Sequence, residues 1–214
     1  LRIDVDGAVA MNENNDVTSL AANVANVGAE FSFTDNDTLV ISTVDGITGV
    51  STNNANVTLT VNGGTLTQAS GALIQATGLA ASASGGITLN EANTISTLGA
   101  SVSGSGDIIE FTDADGFDID SVGLIDGVSS TNGAITLTAT TGNITVLNTA
   151  AANDVDSGSS TIAMTAAANE GIITISSGAD VEATGGVTLT ADKMALSGTI
   201  NLGSAGATTV TLQP

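Results

Sequence analysis

Cysteine, histidine, tryptophan and tyrosine are all absent from the 214 residues, and Pro214 is the single proline. Without cysteine there are no disulfides and no thiolate metal sites. Without histidine the usual nucleophilic triads are excluded as well. Positive charge is nearly missing: Arg2 and Lys193 face 22 acidic residues, for a formal charge of −20. Nucleic acid and anionic membranes are poor partners for such a chain, because binding them takes Lys and Arg. Cleavage of acidic polysaccharides would need a cationic cluster, or paired acids in an aromatic groove. Two distant cations and four phenylalanines provide neither, so the chain is expected not to be an enzyme. No apolar run is long enough to cross a bilayer, so membrane insertion is not expected. Leu1 is not an initiator Met and no apolar leader follows it. The expectation is an internal stretch of a longer chain whose targeting signal lies elsewhere.

What the chain does have is aliphatic. Hydrophobic residues make up 42% and aromatics only 2%, so the core has to be built from Val, Ile, Leu and Ala. Small aliphatics suit narrow repeated layers better than one broad interior, which draws much of its buried area from rings. Acidic chains poor in aromatics can be disordered, but alternating β-branched residues supply the burial that disorder lacks.

Those layers repeat. Phe33-Thr34-Asp35 returns as Phe111-Thr112-Asp113, an offset of 111 − 33 = 78 residues. The same offset carries Asn12-Glu13 onto Asn90-Glu91 and Gly49-Val50-Ser51 onto Gly127-Val128-Ser129. Residues 7–67 align with 85–145 without a gap, and 24 of the 61 positions are identical. Further on, Ser70-Gly71-Ala72 matches Ser177-Gly178-Ala179 at an offset of 107, so the second copy holds about 29 more residues (107 − 78), within 146–176. A solenoid accepts such an insertion as one more coil, since each coil touches only its neighbours. The expected organisation is one unit over 1–214, with blocks 7–84 and 85–162 and further coils over 163–214.

Thr/aliphatic alternation marks strands at 57–60, 87–90, 135–138, 162–165, 187–190 and 209–212, and Gly, Asn, Ser and Asp clusters mark turns between them. The later strands recur every 22 to 27 residues, which predicts about three coils per 78-residue block. Helix is expected to be minor, with the Ala-rich stretches 20–29 and 149–153 as its best candidates. The fold class is all-β: a parallel β-helix (β-solenoid) of roughly eight coils. At about 4.8 Å per coil it would form a rod on the order of 40 Å long.

The segments Gly-Gly-Ile-Thr-Leu-Asn (85–90), Phe-Thr-Asp-Ala-Asp (111–115), Gly-Val-Ser-Ser-Thr-Asn-Gly (127–133) and Ile-Thr-Leu-Thr (135–138) resemble the shaft repeats of filamentous-haemagglutinin-like large exoproteins. The C-terminal Val210-Thr211-Leu212-Gln213-Pro214 is similar to a unit ending in such proteins. The resemblance implies a right-handed β-helix, export by two-partner secretion or a related autotransport route, and an extracellular or cell-surface place. It implies a role in adhesion or spacing, with a host or neighbouring-cell receptor or glycan as the partner of the whole. The other reading is a filament subunit that self-associates end to end.

The candidate site is acidic. Asp113 and Asp115, with Asp118 and Asp120 close behind, occupy one turn, and Asp35 and Asp37 occupy its counterpart in the first copy. Clustered carboxylates can supply several of the six to eight oxygens that calcium takes, so calcium is the one cofactor considered. The spacing fits no EF-hand, because the twelfth position from Asp113 is Leu124. The competing expectation is a solvated strand face and turn. Thr-x-Thr pairs (58/60, 136/138, 188/190, 209/211) are of the kind found on ice-binding solenoids, but ice binding needs them in register on every coil, whereas their intervals vary and some coils break the pattern (Thr88-Leu89-Asn90, Ala163-Met164-Thr165). Phe31, Phe33, Phe111 and Phe117 are expected to fill the core. Asn12, Asn15 and Asn54, with their copies Asn90, Asn93 and Asn132, are expected in turns.

Overall fold

The computed structural model describes residues 1–203 and 209–214. Among these there is no helix, and parallel coils stack as a β-solenoid of about 8 turns. Strand pairing divides the surface into three faces that the chain visits in fixed order. Phe31–Asp35 lies on the first face, Leu39–Ile41 on the second and Val50–Asn53 on the third. Val57–Val61 then returns to the first face directly above Phe31–Asp35. Each strand alternates, so that Val57, Leu59 and Val61 are buried while Thr58 and Thr60 are partly exposed. Inward side chains stack on their own kind: Ile109, Ile135, Ile162 and Val187 form one column on the second face. A layer this thin holds one aliphatic side chain per position. All four phenylalanines are nevertheless buried, as expected. Phe31 and Phe33 lie in one strand, and Phe111 packs edge-on to Phe117 with centroids 5.2 Å apart.

Coil length varies while register holds. Leu79 pairs with Leu98, an advance of 19 residues, and Ile144 pairs with Ile173, an advance of 29. Turns absorb the difference, because ladder bonds fix the strands and leave the connections free. For this reason uneven intervals do not by themselves take the Thr pairs out of register, but the array is interrupted, as the sequence suggested at Ala163. Thr136, Ala163, Thr188 and Thr211 are register partners in one column, and Thr138, Thr165, Thr190 and Gln213 in the next. Thr58 and Thr60 belong to a different face.

The block holds about three coils, as expected, but not a whole number of them. Counting strand positions from Val9 through Leu20, Ala22, Phe31, Leu39, Val50, Val57, Leu66, Ile74 and Leu79 to Ile87 gives ten steps. Ten steps on three faces are three coils and one strand more. The second copy is therefore turned by one face: Phe33 lies on the first face and Phe111 on the second. The insertion behaves as expected. Between Ile74 and Val181 the chain makes thirteen steps, which is the ten-step block plus one three-strand coil.

Neither Ala-rich stretch is helical. Ser19–Val27 is a strand, and 149–153 is an irregular connection with bends. In Ser19–Val27 ladder bonds to both neighbouring coils outweigh the helix preference of alanine. Each copy also carries an antiparallel hairpin that sequence reasoning overlooked: Thr43–Val44 with Ile47–Thr48, and Ser121–Val122 with Ile125–Asp126. Asp45-Gly46, both at positive φ, makes the first turn. Asp-Gly between β-branched residues is a strong hairpin signal and could have revealed it.

Candidate functional site

The two acidic turns sit at corners of the solenoid, where one face gives way to the next, and each is built on a bulge. Met11 pairs with Phe33 and Asn15 with Asp35, so four residues on one coil span two on the next. Leu89/Phe111 and Asn93/Asp113 repeat this arrangement. The extra residues strand backbone carbonyls, and an asparagine carboxamide gathers them. Asn15 Nδ2 lies 3.2 Å from the Met11 carbonyl, 2.9 Å from that of Glu13 and 2.8 Å from that of Thr34. Asn93 Nδ2 reaches the carbonyls of Leu89, Glu91 and Thr112 at 3.2, 2.9 and 3.0 Å. Asn54 and Asn132 do occupy left-handed turns as expected, with φ of 53° and 62°. Asn15 and Asn93 instead clamp the corner bulges, because a carboxamide can replace the missing ladder partners.

The solvated-face reading fails for the first acid of each turn. Alternation continues through Phe111, Thr112 and Asp113, so Asp113 points inward and is fully buried, and Asp35 matches it. Asp118 obeys the reading, standing outward between buried Phe117 and Ile119. The Asp113 carboxylate is well served: Oδ2 accepts from Ile95 N–H at 3.0 Å, and Oδ1 from Asp115 and Gly116 N–H at 2.9 Å each. In the first copy Oδ1 of Asp35 accepts from Val17 N–H at 3.1 Å, Asp37 N–H also faces the carboxylate, and Oδ2 is buried without a hydrogen-bond partner. Burial pushes both carboxyls above the ordinary carboxylate range. Backbone N–H groups oppose the shift, and the second acid of the turn, Asp37 or Asp115, adds to it by repulsion.

Gly116 explains part of the contrast. Its φ of +101° is open to glycine, whereas Thr38 holds that place in the first copy. The second corner is also braced from the preceding coil. Gln68 Nε2 donates to Asn93 Oδ1 at 2.7 Å, and Ile74 N–H donates to the same oxygen at 2.8 Å.

The one-face rotation sets Asp35/Asp37 and Asp113/Asp115 on different corners, so the four do not form a single cluster. Among the described residues, no three acidic side chains are grouped to hold a metal ion. Beside the second corner a cleft of about 300 Å³ is lined by Ser96, Asp115, Phe117, Asp118, Asn143 and Thr145. Both basic side chains are engaged elsewhere: Arg2 with Asp4 at 2.6 Å, and Lys193 with Glu170 at 3.3 Å. No family model, curated protein or solved structure matches this chain.

Proposed function

We propose that the chain is a structural shaft segment of a secreted or cell-surface bacterial adhesin, a rigid anionic spacer without catalytic work of its own. The observation that supports this most is the parallel stacking of the described coils, in which coils of 19 to 29 residues stay paired strand on strand and register shifts only at a few bulges. Such a stack resists bending through its backbone bonds and gains length by adding coils. The ten-step block supports growth by duplication, since a coil can be inserted without disturbing its neighbours. Outward Thr, Ser, Asn and Asp keep the rod wetted, and its negative charge discourages lateral association.

Antibody raised against the purified segment should label intact, unpermeabilised source cells, and protease treatment of those cells should remove the signal. Signal confined to the cell interior would sink the proposal. As a spacer, the segment alone should not compete with those cells for attachment.

A second reading, an end-to-end filament subunit, draws on the edges of the outermost described coils. Arg2–Val5 pairs on one side only, as do Lys193–Leu196 and Val210–Gln213. Leu1, Val5, Leu196, Val210 and Leu212 are exposed there. Open edges invite strand addition. Sedimentation that rises with concentration into long polymers would favour this reading over the isolated spacer.

A further inference from the structure

Asp35 has an unmet electrostatic requirement that its copy does not share. Its side chain is 0% exposed, and Oδ2 has no donor. A buried carboxylate oxygen is costly unless a donor, a proton or a metal ion meets it. Asp37, two residues on, brings a second carboxylate against the first, so the pair repels. Neither basic side chain answers that charge, because Arg2 lies on Asp4 and Lys193 on Glu170. Asn62 on the next coil donates its N–H to the Asp35 carbonyl at 2.9 Å and its Nδ2 to Asn14 Oδ1 at 2.6 Å, so it lends the Asp35 carboxylate no donor. Hard divalent cations bridge such paired carboxylates and complete their shell with water. At the second corner the three N–H donors to Asp113 already do this work.

We propose that the Asp35–Asp37 turn binds one calcium-like divalent cation and that the duplicate Asp113–Asp115 turn does not. The proposal rests on the corner geometry and is independent of the shaft reading.

Equilibrium dialysis of the whole chain against calcium tests it, run near neutral pH in about 0.15 M salt to screen diffuse attraction to the anionic surface. The expected result is one saturable calcium per chain, lost in Asp37→Asn and kept in Asp115→Asn. Both positions lie on turns outside the ladder, and circular dichroism checks that each variant folds. Melting should shift upward by several degrees with calcium in the parent and in Asp115→Asn, and not in Asp37→Asn. Absence of saturable binding overturns the proposal, as does binding that survives Asp37→Asn or disappears with Asp115→Asn. A turn stabilised by acid alone and indifferent to calcium would mean a proton shared by the two carboxylates, and also overturns it. None of these results bears on whether cells display the segment.

Discussion

The corner at Asn15 and Asp35 and the corner at Asn93 and Asp113 descend from one sequence, yet only the second is closed. Both use the same bulge and the same asparagine. The second adds Gly116, a brace from Gln68 and three N–H donors to its buried acid. The first has Thr38 in the glycine position and an acid oxygen without a donor. Duplication therefore copied the backbone device more faithfully than its electrostatics. A solenoid tolerates this, because each corner is judged only by the coils that touch it.

Removing the clamps should give the largest difference. Asn93 is fully buried and serves three carbonyls and the N–H of Ile74, two of these bonds out of water and two partly so. Asn93→Ala is expected to cost about 3 kcal/mol or more, since it leaves several buried backbone groups unpaired. Asn15 is only half-buried and lacks the Gln68 brace, so Asn15→Ala should cost about half as much. Denaturant unfolding of the two variants measures the gap, and equal losses would break the comparison.

Making the second turn like the first comes next. In Gly116→Thr the new Cβ would fall 2.5 Å from backbone N and O of Asn143, at a φ of +101°. Backbone on the neighbouring coil cannot move aside cheaply, so a loss of about 2–3 kcal/mol is expected. The reverse change, Thr38→Gly, has no such clash to relieve and should alter stability by less than about 1 kcal/mol. A loss in Thr38→Gly as large as that in Gly116→Thr would show that turn geometry does not separate the corners.

The acids themselves should differ more modestly. Asp113→Ala strands three N–H groups and is expected to cost about 2 kcal/mol. Asp35→Asn strands little and relieves a buried charge, so in metal-free buffer it should be neutral or stabilising. Thermal melting in the presence of chelator reads both. Destabilisation by Asp35→Asn equal to that of Asp113→Ala would mean that the first carboxylate has a donor after all.

How much of this was legible beforehand follows from what each feature depends on. Alternation and the 78-residue offset announced a β-solenoid, because inward and outward positions are written residue by residue. The extra coil was legible for the same reason. The rotation of the copies was not. Short strands such as Leu39–Ile41 and the Leu20–Val24 segment, which rounds a corner within one continuous strand, hide the step count on which the rotation depends. At the acidic turns, charge suggested water or calcium, whereas Phe-x-Asp alternation already placed Asp35 and Asp113 inward. A carboxylate at an inward position is the signal that was available. The Asn15 and Asn93 clamps left no such signal, since they act on carbonyls supplied by the next coil.

The smallest expected effect concerns pH. Burial holds Asp113 above its ordinary range, so the folded chain takes up a proton at higher pH than the unfolded chain does. Stability from this group is then present in full below the unfolded value of 3.8 and declines as pH rises through the folded one. Acidification from neutrality should accordingly raise the melting temperature at first, opposite to the behaviour of a salt-bridged carboxylate. Relief of general repulsion on a chain of −20 acts in the same direction, but salt screens that part, whereas a buried site is screened much less. In Asp113→Asn the salt-resistant part of the rise should shrink. A rise that salt abolishes altogether would assign the whole pH response to the surface and leave the buried corner with none of it.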